Sequence, residues 1–278
     1  MKIGIIGSKG LLGSTLMDLC PDAVGTTHEQ LDVTNEDAVM RWVQTSGCTH
    51  LINCTAYSNV DRAEVEVEQA YAVNEKGPLH LGRAAQRHGL RLIHLSTDYV
   101  FDGKKRTPYT EDDTCHPLGI YGKSKRAGEE GLLTEMPSAL IIRTSWLFGF
   151  GRGKNFLSIL LEKLLTEPEL KIDASQTSRA TYVLDLAELL MELKDANGLF
   201  HFATGEPITR YAFAEKLLAK AKSAGLPVKC HTLIPFTFTA PAPRPVYSAL
   251  ATDKIEKLTR VRTTDEVIED YVCSNVCL

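Results

Sequence analysis

The sequence predicts an α/β protein with a doubly wound, parallel Rossmann sheet and a smaller α/β substrate lobe in its C-terminal half. Two patterns carry this prediction: short, almost wholly apolar segments alternate with helix-like segments, and a glycine-rich turn directly follows the first apolar segment. Apolar strands are typical of a parallel sheet that helices cover on both faces. A glycine-rich turn between the first strand and the first helix is typical of a dinucleotide-binding fold.

The elements of the first half follow one another regularly. Strands are predicted at residues 2–7 (KIGIIG), 23–27, 49–54 (THLINC), 91–96 (RLIHLS) and 140–144 (LIIRT). Between them, residues 11–19 fit a helix, Asn35 is placed to cap a second helix, and a long helical region spans residues 63–85. We therefore expect residues 1–150 to form an NAD(P)-binding Rossmann domain.

The pattern changes in the second half. Helices are predicted at residues 155–165, 182–193 and 210–222, the last capped by Thr209, with a short strand at 199–202. Residues 235–245 hold too many prolines for a central strand or a helix, and the C-terminal end predicts two short helices. We expect residues 151–278 to form the substrate-binding lobe, with a chain that is free to cross back to the sheet.

Composition excludes several classes of protein. The 278 residues include 31 Lys and Arg against 35 Asp and Glu, a net charge of −4, which is too small to recruit nucleic acid or an anionic membrane. Seven cysteines at irregular spacings predict neither a disulfide framework nor a zinc site, and Cys273 and Cys277 are expected in a plain C-terminal helix. No apolar run is long enough for a spanning helix. A cytoplasmic protein without nucleic-acid or membrane partners is expected.

The glycine-rich turn predicts a dinucleotide site. Gly7, Gly10 and Gly13 follow the first strand as G-x-x-G-x-x-G, where glycines let the backbone approach a pyrophosphate at the helix N-terminus. An NAD site usually carries an acidic residue after the second strand, whereas residues 26–28 read Thr-Thr-His. Lys9 and His28 are placed to lie near a 2′-phosphate, so the sequence favours NADPH and leaves NADH open. The G-K-S at residues 122–124 is not a P-loop, because Pro117 stands where that motif needs glycine.

A second set of residues predicts proton transfer to a carbonyl group. Tyr121 and Lys125 form a Y-x-x-x-K motif, which on a helix puts the ammonium beside the phenol and lowers the pKa of the phenol. Tyr121 is then a candidate acid for a carbonyl oxygen that hydride is converting to an alcohol. Thr97 and Asp98 follow the fourth strand, at the sheet edge where ligands bind. The Thr97 hydroxyl is placed to polarise the carbonyl, and Asp98 to hold a sugar hydroxyl.

In this order and on this scaffold, the motifs resemble the extended short-chain dehydrogenase/reductase superfamily and, more narrowly, the dTDP-4-dehydrorhamnose reductase family. The resemblance covers nearly the whole chain. The segments that carry it are residues 31–35 (LDVTN), 53–64 (NCTAYSNVDRAE), 96–103 (STDYVFDG), 121–129 (YGKSKRAGE), 143–149 (RTSWLFG) and 153–156 (GKNF).

The resemblance implies NAD(P)H-dependent reduction of the C4 keto group of a dTDP-4-keto-6-deoxyhexose, with Tyr121 as the proton donor. It also implies a role for each matching residue. The pyrophosphate would be cradled by Gly10, Leu11 and Leu12, and the adenine would be met by Asp32 and Val33. The path toward the nicotinamide would be lined by Ala56, Tyr57 and Ser58, and the nicotinamide ribose would be held by Tyr121 and Lys125. The sugar nucleotide would be contacted by Thr97, Asp98 and Trp146.

The sequence departs from the family pattern on the substrate side. The usual D-Q-x-G-x-P-T is S-Q-T-S-R-A-T at residues 175–181, and the usual double arginine before proline is Pro243-Arg244-Pro245, with Tyr247 where asparagine is expected. Arg244 remains a candidate for the substrate diphosphate. Family members often bind Mg²⁺ at a dimer contact through glutamates that do not map onto this sequence. The resemblance therefore leaves Mg²⁺ and a homodimer open and assigns no metal ligand.

Two other functions remain open. A sugar-nucleotide epimerase or dehydratase uses the same fold, although Tyr99 follows Asp98 where a dehydratase usually has glutamate. A non-catalytic NADP-binding regulatory subunit, like that of methionine adenosyltransferase, resembles these reductases closely. The intact Tyr121, Lys125 and Thr97 favour an enzyme, and the altered substrate-side segments keep the regulatory alternative open.

Overall fold

The computed structural model describes residues 1–150, 152 and 155–276, so Gly153, Lys154 and Cys277 of the sequence-based predictions lie outside it. Strands and helices alternate through the first half. They are β1 (Ile3–Ile6), α1 (Leu11–Leu19), β2 (Val24–Thr26), α2 (Glu36–Ser46), β3 (His50–Asn53), α3 (Val60–Ala63), α4 (Val67–Tyr71), a π-helical turn (Ala72–Lys76), α5 (Gly77–His88), β4 (Arg91–Thr97), a 3₁₀ turn (Asp98–Val100), α6 (Ile120–Glu135) and β5 (Leu140–Thr144).

The second half has shorter strands between its helices. It comprises β6 (Leu147–Phe148), α7 (Phe156–Thr166), β7 (Glu169–Asp173), β8 (Thr177–Ser178), β9 (Thr181–Tyr182), α8 (Val183–Glu192), β10 (Gly198–His201), β11 (Ile208–Thr209), α9 (Arg210–Ser223), β12 (Thr232–Phe236), a second 3₁₀ turn (Ile255–Lys257) and α10 (Thr264–Val276). The strand pairs β6–β9, β7–β12 and β8–β11 lie outside the main sheet.

The main sheet has six parallel strands in the order β10-β5-β4-β3-β1-β2. The strand order reverses beside β1, because the chain leaves β1 first to one side, through β2, and then to the other, through β3. Ligands of such sheets bind beyond the carboxyl ends of the strands at this reversal. The glycine turn follows β1 there, and Thr97 ends β4 at the same edge.

Apolar side chains cover both faces of this sheet. Ile5 and Ile6 are fully buried on opposite faces, Ile5 with Leu16 and Leu186 and Ile6 with Val39 and Leu81. Burying each such side chain stabilises the fold by about 1.5–3 kcal/mol. A third apolar cluster lies in the C-terminal half and brings together α7, α9 and α10. The predicted α/β fold, with its parallel Rossmann sheet, is confirmed.

Local signals in the sequence agree with the structure at both predicted caps. Asn35 Oδ1 accepts from the Ala38 amide at 3.0 Å, and Thr209 Oγ1 accepts from the Ala212 amide at 3.1 Å. The C-terminal end differs: one 3₁₀ turn and one long helix, α10, replace two short helices.

The domain division at residue 150 stays a prediction. Helix α8 packs against α1, and β10 pairs with β5 at the edge of the main sheet, so part of the second half belongs to the sheet layer. Among the described helices, none is both long and apolar enough to cross a lipid bilayer.

Candidate active site

A cavity of about 420 Å³ lies along the carboxyl edge of the sheet, from the start of α1 to the start of α6. It joins the glycine turn to the residues predicted for catalysis. Of the predicted site residues, those that line it are Gly10, Leu11, Leu12, Gly13, Ala56, Ser58, Thr97, Asp98, Tyr121, Lys125 and Trp146. Gly7, Lys9, Asp32, Val33, Tyr57 and Arg244 do not line this cavity.

The glycine turn leaves the start of α1 open to a ligand. Gly7 has φ +86°, a left-handed conformation that disfavours side chains, and a Cβ at Gly13 would lie 2.2 Å from the Gly7 carbonyl oxygen. Gly10 precedes the helix, and no described side chain caps it. The first amides of the helix, at Leu11 and Leu12, have no preceding helical carbonyl to bond. This arrangement of free amides at a positive helix end fits the diphosphate of a dinucleotide.

The segment after β2 lies beside the glycine turn. The Thr26 carbonyl accepts from the amides of Gly7 and Ser8 at 3.0 and 2.9 Å. This brings the exposed Lys9 ammonium to 3.8 Å from the Glu29 carboxylate, which also accepts from the Thr27 hydroxyl. Glu29, three residues beyond β2, therefore lies beside the lysine that the sequence placed near a cofactor 2′-phosphate.

The other predicted cofactor residues lie just outside the cavity. Asp32 accepts from the amide and the hydroxyl of Thr34 at 2.9 and 2.8 Å, and the buried Val33 accepts from His80 through its carbonyl. The Tyr57 amide donates to Asn74 Oδ1 at 2.8 Å, and the Tyr57 hydroxyl donates to Glu66. Asn74 projects from the π-helical turn and holds the loop between Ala56 and Ser58 in place.

Tyr121, the second residue of α6, lines the cavity. Its ring packs edge-on against Tyr99, with 5.7 Å between ring centroids, and the Thr97 hydroxyl lies nearby. Burial raises the pKa of Tyr121 to about 12, although Thr97 acts in the opposite direction. Tyr121 is therefore a phenol at neutral pH, in the protonation state of an acid.

Lys125 is buried and also lines the cavity. Its Nζ donates to the Leu95 carbonyl at 2.6 Å and lies 3.3 Å from His94 Nε2. Burial lowers the pKa of Lys125 to about 8, against the neighbouring Glu129 carboxylate, which raises it. The prediction that Lys125 lowers the Tyr121 pKa is wrong, because the Lys125 amino group donates to a carbonyl of strand β4 instead of lying beside the phenol.

Asp98 is held by three hydroxyl groups. It accepts from Thr97 at 3.1 Å, from Ser178 at 3.1 Å and from Ser248. Burial raises the pKa of Asp98 to about 6, and these hydrogen bonds oppose that shift. Ser178 stands where the family pattern has glycine, so one departure in residues 175–181 supplies a new partner for Asp98.

Trp146 forms part of the cavity wall in a strained conformation. It has φ +41°, the one positive φ at a non-glycine residue among those described, and its Nε1 is buried without a hydrogen-bond partner among them. The guanidinium of Arg210 stacks on its ring at 4.7 Å and on the ring of Phe156 at 4.9 Å.

Arg210 is the residue that sequence reasoning missed. It makes no hydrogen bond or ion pair with another described residue. It also lines a second cavity of about 340 Å³, whose wall includes Asp173, Gln176, Phe236, Phe238 and Arg244. Arg244 already has a partner there, because its two terminal nitrogens each donate to the Asp61 carboxylate at 2.9 Å. No motif marked Arg210; its position at the start of a helix capped by Thr209 was the one local signal.

Comparison with known proteins places the chain in a family. The family described as RmlD substrate binding domain matches residues 1–273. A dTDP-4-dehydrorhamnose reductase from Aggregatibacter actinomycetemcomitans is 36% identical over 95% of both chains, and one from Mycobacterium tuberculosis is 37% identical over 90% of this chain and 84% of the relative. The chain belongs to the dTDP-4-dehydrorhamnose reductase family.

Solved structures of this family agree. The dTDP-4-dehydrorhamnose reductase from Bacillus anthracis, determined in complex with NADP, is 31% identical, with a TM-score of 0.92 over 98% of this chain and 99% of that one. A UDP-glucose 4-epimerase from Thermus thermophilus has a TM-score of 0.80 at 20% identity, a likeness of fold alone.

In the described part of this chain, no three His, Cys, Asp or Glu side chains are grouped to hold a metal, so the structure gives no support to the Mg²⁺ site that the family resemblance left open.

Proposed function

We propose that this chain is an NADPH-dependent reductase that converts the C4 keto group of a dTDP-4-keto-6-deoxyhexose, dTDP-4-dehydro-L-rhamnose, into the alcohol of dTDP-L-rhamnose. The observation that carries the proposal is that Tyr121, Thr97 and Lys125 meet at one end of a cavity whose other end is an uncapped glycine turn. A dinucleotide that spans the cavity joins these two ends.

The residues along the cavity have different roles in the proposed reaction. The amides of Leu11 and Leu12 bind the cofactor diphosphate, and Ala56, Ser58 and Lys125 line the way to the nicotinamide ribose. The bound nicotinamide supplies the hydride that reduces the carbonyl carbon. The Tyr121 hydroxyl gives its proton to the carbonyl oxygen, and the Thr97 hydroxyl orients that oxygen.

The substrate side is built around the two cavities. Thr97, Asp98 and Trp146 hold the sugar in the first cavity, where the Trp146 ring offers a flat apolar surface to the deoxy carbon. Arg210 lines the second cavity and contacts Trp146 in the wall of the first, and it supplies positive charge for the diphosphate beside Arg244, which is already paired with Asp61. Phe236 and Phe238 offer the thymine base aromatic surfaces in the second cavity.

A turnover assay tests the proposal. dTDP-4-dehydro-L-rhamnose is generated in situ, and NADPH absorbance is followed with wild type, Tyr121→Phe and Tyr71→Phe, a control that removes a phenol hydroxyl from a helix outside both cavities. We expect the wild type and the control to oxidise NADPH and Tyr121→Phe to lose about 100-fold or more in kcat while binding NADPH. A wild type that binds NADPH and consumes none with this substrate would favour the regulatory alternative.

A further inference from the structure

A row of buried hydrogen-bonding groups ends at Lys125, and its other members have no role in the reaction proposed above. It runs from Thr55 through Asn53, at the end of β3, to His94 on β4 and then to Lys125 on α6. The distances are 3.0 Å from the Thr55 amide nitrogen to Asn53 Oδ1, 3.0 Å from Asn53 Nδ2 to His94 Nδ1 and 3.3 Å from His94 Nε2 to Lys125 Nζ. Asn53, His94 and Lys125 are all at most 2% exposed, so the pairing of each atom matters.

The orientation of the Asn53 amide follows from its partners. A backbone N–H is only a donor, so the Asn53 atom that meets the Thr55 amide is the oxygen. The Thr55 hydroxyl also donates to that oxygen, at 2.6 Å. The NH₂ group of Asn53 therefore faces His94 and donates to it.

This orientation decides which ring nitrogen of His94 carries the proton. Burial holds the pKa of His94 well below its usual value, so the ring is neutral and has one N–H. Because Nδ1 accepts from Asn53, the proton is on Nε2. That N–H points at Lys125 Nζ.

An ammonium group at Lys125 would oppose this N–H with a second donor, because an ammonium has no lone pair. A neutral amine has one lone pair for the His94 N–H and keeps a proton for the Leu95 carbonyl. We propose that Asn53 and His94 are positioning residues that favour the neutral amine of Lys125 in the cofactor-free protein, with His94 Nε2–H donating to Lys125 Nζ.

The other ionisable groups around Lys125 are consistent with this state. Glu129, on the same helix, favours the cation, but its carboxylate is already bonded to Arg143 and Arg126. Tyr121 and Cys54, whose pKa values burial raises to about 12, are uncharged at neutral pH. Asp98, which shares the cavity wall, is bonded to three hydroxyl groups. No described group offers Lys125 an unshared carboxylate.

The consequence for catalysis rests on the proposed function. An ammonium at Lys125 carries positive charge and three N–H donors into the part of the cavity where the nicotinamide ribose is proposed to bind, and it exists only below the pKa of Lys125. By favouring the neutral amine, the Asn53–His94 pair lowers the pH above which that charge is lost.

Nuclear magnetic resonance on cofactor-free protein tests the proposal directly. Protein with ¹⁵N-labelled histidine reports the tautomer of each ring, and His94 is assigned by its missing signal in His94→Gln. Protein with ¹³C-labelled lysine ε-carbons reports the Lys125 titration. We expect the Nε2–H tautomer at His94 and a Lys125 midpoint at or below about pH 8, against about 10.4 for a free lysine. An Nδ1–H or doubly protonated His94, or a midpoint near that of free lysine, would overturn the proposal.

Two variants distinguish the effect of the Asn53–His94 hydrogen bonds on the Lys125 titration midpoint, here called the relay, from the effect of burial alone. Asn53→Ala frees His94 to turn its Nε2 lone pair toward Lys125, so we expect the Lys125 midpoint to rise by about one pH unit or more, a tenfold change in the proton affinity. Thr55→Val is the matched control, since it removes the hydroxyl but keeps the backbone amide that orients Asn53, and it should leave the midpoint in place. An Asn53→Ala protein that folds with an unchanged midpoint refutes the relay.

If Asn53→Ala does not fold, the tautomer of His94 in the wild-type protein still tests the proposal. Neither measurement involves turnover, so a chain that fails to reduce the sugar nucleotide would refute the proposed function and leave this result standing.

Discussion

The guanidinium of Arg143 is forked onto the carboxylate of Glu129, with 2.8 Å from Nε to Oε1 and 2.7 Å from Nη2 to Oε2, and both side chains are only 1% exposed. Arg143 lies on β5, and Glu129 lies one helical turn after Lys125. The ion pair therefore ties the helix that carries Tyr121 and Lys125 to the main sheet. Because two hydrogen bonds join the two charged groups, each buried charge has a partner although neither group is exposed to water.

Arg143→Met should destabilise the protein by about 3–5 kcal/mol, because it leaves the Glu129 carboxylate buried with Arg126 as its remaining cationic partner. Urea unfolding measures this loss. The double variant Arg143→Met/Glu129→Leu removes both charges and should recover a large part of the stability. A single variant that stays within about 1 kcal/mol of wild type would show that the pair contributes little.

Ser178→Gly, which restores the family residue, should change the pH dependence at low pH. The Ser178 hydroxyl stabilises the Asp98 carboxylate and so lowers its pKa; without it, that pKa should rise above its present value of about 6. If the carboxylate binds the sugar, kcat/KM increases as pH rises through the Asp98 pKa, and this acid limb should move to higher pH by about one unit.

Ser175→Ala is the control for that experiment, because the Ser175 hydroxyl bonds to Asp173 and not to Asp98. Its pH profile should match that of wild type. Acid limbs that coincide for Ser178→Gly and wild type would mean that Asp98 is not the group that titrates.

Arg210→Gln should weaken binding of dTDP about 10- to 100-fold, because a hydrogen bond to a charged group contributes about 1.5–3 kcal/mol. Binding of thymidine, which has no phosphate, should be nearly unchanged. Isothermal titration calorimetry measures both ligands. Lys163→Gln, which removes a half-exposed cation from α7, controls for net charge. Equal losses for dTDP and thymidine would assign Arg210 to the shape of the pocket rather than to the phosphates.

Glu29→Gln should increase the preference for NADPH over NADH by about threefold, since it removes a carboxylate beside Lys9 that would repel a 2′-phosphate. Lys9→Gln should shift the preference in the opposite direction by a similar factor. Fluorescence titration of both cofactors gives the ratio of the two Kd values. The effect should shrink at high salt, because both side chains are exposed. A ratio that neither variant changes would place the 2′-phosphate elsewhere.

The sequence predicted those parts of the protein that local patterns determine. Strand β1, the glycine turn and α1 are consecutive, and their apolar and glycine residues specify them without help from distant segments. The cap at Thr209 is local in the same way.

Contacts between distant segments were not predictable. Glu29 reaches Lys9 through a reversal of the chain, Ser178 meets Asp98 across 80 positions, and Arg210, at the start of α9, lies on Trp146 from a distant part of the chain. The direction of the Lys125 side chain was also missed, since helix spacing defines a face of the helix but not the carbonyl on β4 that accepts a hydrogen bond from the Lys125 amino group.

Strand β10 completes the sheet late in synthesis. It pairs with β5 from Gly198 opposite Leu140 to His201 opposite Arg143, yet the ribosome makes it only after four further strands, β6 to β9, and two helices, α7 and α8. At about 5–20 residues per second, the apolar β5 of a nascent chain waits several seconds with one edge unpaired. A chain that ends within α8 would therefore expose the apolar edge of β5, which is free to pair with another chain, instead of a completed sheet.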